Sequence, residues 1–102
     1  GDLYVVERGL DRIRHVSTAG EDLGSWGSSG VGNGQFSLPL GVAVAPDGSV
    51  YVADTGNNRI QHFTASGGFL GAWGTNGSGP RQFKGPRGLD VAADGTVYVA
   101  DG

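Results

Sequence analysis

Cysteine and methionine are absent from this 102-residue chain, and charged residues make up only 17% of it. Without cysteine there is no disulfide framework and no thiolate metal site. No apolar run approaches the length of a membrane span, and no basic-then-apolar leader opens the chain, so no membrane partner is expected. The first residue is Gly1 rather than Met, which suggests a chain processed or cut from something larger. A net charge of −3 argues against a dedicated nucleic-acid binder. Long helices are also excluded: no segment holds a 3.6-residue apolar period, and Gly or Pro recurs every few residues.

What is abundant is glycine, 21 residues, set among regularly spaced Val, Leu, Ala, Phe and Tyr. That mixture suggests many short strands joined by tight turns. A shift of 47 residues aligns the chain on itself without a gap, residues 1–47 matching 48–94 at 21 positions. The matches include Tyr4/Tyr51, Arg12/Arg59, His15/His62, Trp26/Trp73, Phe36/Phe83 and Asp47/Asp94. Residues 95–102 begin a third copy, so the chain reads as one module of two repeats and the start of another. A period of this length points to repeat architecture, in which each unit needs neighbours to cover its apolar faces.

Within one period the pattern predicts four strands, at 40–45, 50–54, 59–63 and 69–73. Pro46-Asp47-Gly48 turns the first into the second, "TGNN" and "TASGG" make the next two turns, and a Gly-rich connection over 74–86 leads to the next unit. Four antiparallel strands so spaced form one propeller blade. The fold class is all-β.

The run "PLGVAVAPDGSVYVADTGNNRIQHF…FLGAWGTNGSGPRQF" resembles the NHL repeat, and the resemblance extends over essentially the whole chain. The first repeat departs from it at Glu7-Arg8-Gly9-Leu10-Asp11, where "DTGNN" is expected. The resemblance implies a six-bladed β-propeller. Two blades leave two apolar faces open, which is uncommon on stable soluble monomers. Closure with two further copies would supply six blades, the module completing a ring as a homotrimer. The count leaves one spare second strand per junction, residues 3–7 or 97–101.

Connections after second and fourth strands share one side of a propeller, and binding usually sits on such loops. That face is expected to carry Arg8, Asp54, Asn57, Asn58, Arg81 and Lys84, with Arg87 beside them, as the binding candidates for a protein or small-molecule ligand. The resemblance also brings in RNA binding, known for tripartite-motif propellers, but the cations here are few and spread. For Asp54 and Asn58 the structural reading is the stronger one, since such side chains cap turns and tolerate left-handed conformations. Arg12 and Arg59 read as a blade-to-blade ion pair or carbonyl clamp, Asp47 and Asp94 as turn residues, and Trp26 and Trp73 as blade-packing aromatics whose indole N–H meets a carbonyl. His15 and His62 occupy matched third-strand positions that do not converge on one ion, so no metal or other cofactor is expected.

Asp90, where the preceding repeat has Ala43, sits on the innermost strand as a channel candidate. It would pair with a neighbouring arginine or, in a symmetric ring, meet a hard cation. "NGS" at 76–78 is a glycosylation sequon. No phosphate-cradling Gly motif and no Ser/His/Asp set with recognisable spacing is present, so no catalytic residue is assigned. The favoured function is a non-catalytic, self-assembling scaffold or binding module. The alternatives are a piece of a longer natural or engineered propeller with no activity alone, and a lyase or lactonase with an axial metal.

Overall fold

The computed structural model describes residues 3–76, 82–83 and 86–101. Nine longer strands fall into three successive antiparallel sheets. The first sheet holds β1 (Leu3–Glu7), β2 (Arg12–Val16) and β3 (Asp22–Trp26). A complete four-stranded sheet follows, with β4 (Pro39–Val44), β5 (Val50–Asp54), β6 (Arg59–Phe63) and β7 (Phe69–Trp73) in sequential order. Two residues each from β8 (Thr75–Asn76) and β9 (Gln82–Phe83) pair in parallel, and the last sheet joins β10 (Pro86–Val91) to β11 (Val97–Asp101). The first strand of each repeat begins and ends one residue earlier than its apolar pattern suggests. Pro39 opposes Asp54 and Pro86 opposes Asp101, with a bulge before Gly41 and Gly88.

Four of the hairpin turns share one geometry. At 45–49 the N–H of Gly48 donates to Ala45 O at 2.9 Å and that of Ala45 to Ser49 O at 2.8 Å. The same pair of bonds closes 17–21, 64–68 and 92–96. Each is a three-residue loop whose last residue is left-handed, hence glycine. Asp47 Oδ1 accepts the Ser49 N–H and Asp94 Oδ1 the Thr96 N–H, both at 2.9 Å, so the two aspartates hold these turns in place. The Ser49 hydroxyl, which also donates to Asp47 Oδ1 at 2.6 Å, and then the Ser49 N–H keep the Asp47 carboxyl below its ordinary range, and the Thr96 N–H does the same for Asp94.

The core lies between the first and second sheets. Ile13, Phe36, Val50, Val52 and Phe63 are fully buried there, with Tyr4, Val6, Trp26 and Val42 packed around them. Alternation along each strand sends one set of side chains back towards the preceding sheet and the other forward to the next. Phe36 comes from the connection between sheets and meets Phe63 edge-on at 5.7 Å. Trp26 lies against Phe63 at 5.5 Å and over Gly67, where an added Cβ would come within 2.8 Å of the indole. Trp26 therefore packs between blades, but its indole N–H meets no carbonyl: it is buried with no partner among the described residues. Trp73 stands edge-on to Tyr51 at 5.9 Å.

Both histidines stack flat on a cross-strand tyrosine, His15 on Tyr4 at 4.4 Å and His62 on Tyr51 at 4.0 Å. Burial pushes His62 below its ordinary 6.5, with the Asp47 charge pulling the other way. A lowered value means that the native state binds fewer protons than the unfolded chain. The associated stability is present above the ordinary value and is lost as pH falls through the lowered one. The thermal midpoint is expected to begin declining as pH falls below the ordinary 6.5 of His62, ahead of the carboxylate losses at about pH 4. His62→Phe should flatten the upper part of that decline in a pH series of melting curves.

Candidate functional site

The loop side of the second blade is built on one buried carboxylate. Asp54 ends β5 fully buried. Its Oδ1 accepts the Ser37 N–H at 2.8 Å. Its Oδ2 accepts from Arg59 Nε at 2.8 Å, Asn57 Nδ2 at 3.0 Å and Gln61 Nε2 at 3.0 Å. Those donors reach further. Arg59 Nη2 donates to the carbonyls of Gly32 and Gln35 at 2.8 and 2.9 Å, and Gln61 Nε2 to Gln35 O at 2.6 Å. Asn57 Nδ2 donates to Gly30 O and Gly34 N–H to Gln61 Oε1, both at 2.9 Å. The network therefore latches the connection 27–38 onto the blade that follows it.

Of the expected loop-face residues, Asp54 and Asn57 are turned inward by this network, a correction with a simple cause: a carboxylate with four donors gains more from them than from water. Asp54 also makes no side-chain cap on the 3₁₀ helix Thr55–Asn57 that follows it, so the turn-cap reading fails there. Asn58 does take the left-handed turn conformation, at φ 54°. Arg59 is a carbonyl clamp, as one of its two readings had it, and its ion pair lies within the blade rather than across blades. Arg12 pairs with Glu7 at 2.6 Å, also within its blade, and Arg14 joins the same carboxylate at 3.2 Å. The Arg12 hydrogen bond, ahead of Arg14, holds the Glu7 carboxyl below its ordinary range. Arg81, Lys84 and most of the sequon lie outside the described residues, and only the backbone of Arg8 and Arg87 is described.

Asp90 is exposed on β10 opposite Tyr98, in the wall of an open hollow that it shares with Leu89 and Val99. The strands that β10 packs on, β4 and β5, carry no arginine, so the expected partner does not come from the preceding blade. Among the described residues no three His, Asp or Glu side chains gather as metal ligands.

Sequence reasoning missed Gln35, Ser37 and Gln61 as parts of the latch. Gln35 and Phe36 recur as Gln82 and Phe83, a signal that the connection itself is built to a pattern. The parallel bridge Ser29–Phe36 recurs accordingly as Asn76–Phe83. Leu38 was missed too. It is left-handed at φ 47°, where the next repeat has Gly85, and it keeps its side chain 54% exposed. Val31 at 78% stands exposed on the same connection, and Leu10 at 56% on the turn between β1 and β2.

Residues 36–63 match the family model of the NHL repeat. The chain carries an NHL repeat. No curated protein sequence matches. Among solved structures, streptogramin B lyase superposes with a TM-score of 0.72 at 19% identity, over 99% of this chain and 30% of the lyase. Virginiamycin B lyase from Staphylococcus aureus gives 0.74 at 20% identity, over 99% and 31%. A catalytically inactive variant of that lyase with quinupristin gives 0.70 at 17%, over 99% and 31%. At these identities the likeness establishes a shared fold, and this chain spans under a third of the length of those lyases.

Asp54→Ala removes the acceptor of the whole latch and leaves Arg59 and Gln61 with buried, unpaired donors. It is expected to cost about 3–5 kcal/mol in denaturant unfolding. Leu38→Gly is expected to act in the opposite direction. The left-handed conformation costs a leucine about 1–2 kcal/mol, partly offset by the greater freedom of glycine when unfolded, so a net gain of about 0.5–1 kcal/mol is expected in the same assay.

Proposed function

We propose that this chain is a non-catalytic, self-assembling NHL-type propeller module that completes a six-bladed ring with two further copies. Its loop side then serves as a scaffold surface for a protein or small ligand. The observation that carries the assembly is the pair of open sheet faces at the two ends. Leu3 and Val5 are 56% and 46% exposed at one end and Tyr98 is 60% exposed at the other. Their repeat equivalents Val50, Val52 and Tyr51 lie against neighbouring sheets, and the first two are fully buried.

The binding role is supported by Leu38, which keeps an exposed apolar side chain at the expense of backbone strain, with Leu10 and Val31 exposed on neighbouring loops. An apolar surface of this kind suits a protein or an apolar small molecule better than a polyanion. A second reading, a segment of a longer propeller, covers the same two faces with further blades of one chain. A lyase or lactonase reading is favoured only by the names of the similar structures. A shift of the melting point by Ca²⁺ or Zn²⁺, reversed by chelation, would bring it forward.

Light scattering after size exclusion, across a dilution series, tests the proposal. A mass of three chains that holds on dilution is expected. A single-chain mass, or a broad aggregate, rules out the ring.

A further inference from the structure

Three such chains supply one second strand too many at each junction, because β11 of one copy and β1 of the next would claim the same place. A blade holding both would have to pair two like-directed strands in parallel, within sheets whose other neighbours are antiparallel. Resting on the ring reading above, we propose that β11 takes the place, adding to β2 of the next copy and displacing that copy's β1. Each closing blade is then β10 and β11 from one copy, continued by β2 and β3 from the next.

The sequence of β11 fits this position residue for residue. Val97-Tyr98-Val99-Ala100-Asp101 repeats Val50-Tyr51-Val52-Ala53-Asp54 without a change, whereas β1 reads Leu3-Tyr4-Val5-Val6-Glu7. β5 is the second strand that has partners on both edges, β4 and β6. There Val50, Val52, Ala53 and Asp54 are all fully buried. A strand identical to it is already shaped for a complete blade.

The terminal acid separates the two candidates further. Asp54 fits completely buried among Ser37 N–H, Arg59 and Gln61. Glu7, one methylene longer, instead holds Arg12 and Arg14 with its side chain 25% exposed. In the β5–β6 register Asp54 opposes Arg59 and Tyr51 opposes His62. The same register sets Asp101 opposite Arg12 and Tyr98 opposite His15 of the next copy. Tyr98 then gains the flat histidine stack that Tyr4 and Tyr51 have. The exchange also leaves the β10–β11 hairpin and its Asp94 turn intact, which displacement of β11 would open.

Because the chain lacks cysteine, paired cysteines introduced into it report contacts directly. V99C with R14C places thiols on β11 and β2, opposed across copies only if β11 adds to β2. L89C with V5C places them on β10 and β1, opposed only if β1 takes the place. After oxidation, non-reducing gels should show V99C/R14C as linked chains and L89C/V5C as single chains. The wild-type chain gives an independent readout that does not depend on the variants folding. Limited trypsinolysis should cut after Arg8 and release residues 1–8 while the three-chain mass persists. Linkage of L89C/V5C, or a three-chain assembly whose residues 1–8 resist trypsin, overturns the exchange. A one-chain mass for the wild type overturns the ring instead.

Discussion

The first two sheets carry apolar side chains on both faces, and the rest of the structure follows from the need to cover both. A strand's side chains alternate, so Val50 and Val52 point back to Ile13 and Phe36 while Tyr51 points forward. Burial of the first set costs nothing in polar groups, since the ladder satisfies the backbone. The second set finds cover only if another sheet follows. The complete blade, enclosed by a sheet before it and a hairpin after it, is where the fully buried residues concentrate. The open ends are where Leu3, Val5 and Tyr98 face solvent.

The latch around Asp54 serves the same requirement by polar means. Stacked sheets are joined by long glycine-rich connections whose carbonyls need donors. Arg59, Gln61 and Asn57 supply them, and Asp54 holds those three side chains in one place. With the connection fixed, Phe36 is carried into the space between sheets. The first blade is built differently at the matching positions. Glu7 and Arg12 keep the ion pair, but Arg14 stands where Gln61 would be and reaches out to Asp22 at 2.9 Å.

The expected binding face is accordingly less polar than its residues imply. Asp54, Asn57 and Arg59 are drawn into scaffold. Among the described residues the loops leave apolar Leu10, Val31 and Leu38 outside, beside small polar residues such as Ser29 and Asn33, with Leu38 held in a conformation that the next repeat assigns to glycine.

Much was legible in the sequence because it depends on local rules. The 47-residue period, the strand alternation and the Asp-Gly turns set the blades, and the strands fell within one residue of their patterns. The cross-strand stacking of His15 and His62 and the inward direction of Asp54 were decided by tertiary structure. Which polar side chain is consumed by the scaffold depends on which carbonyls a loop 20 or more residues away brings to it, as Gly32 and Gln35 are brought to Arg59. Periodicity along the chain records which face a side chain takes, but only the folded connection decides whether that face meets water or a neighbour.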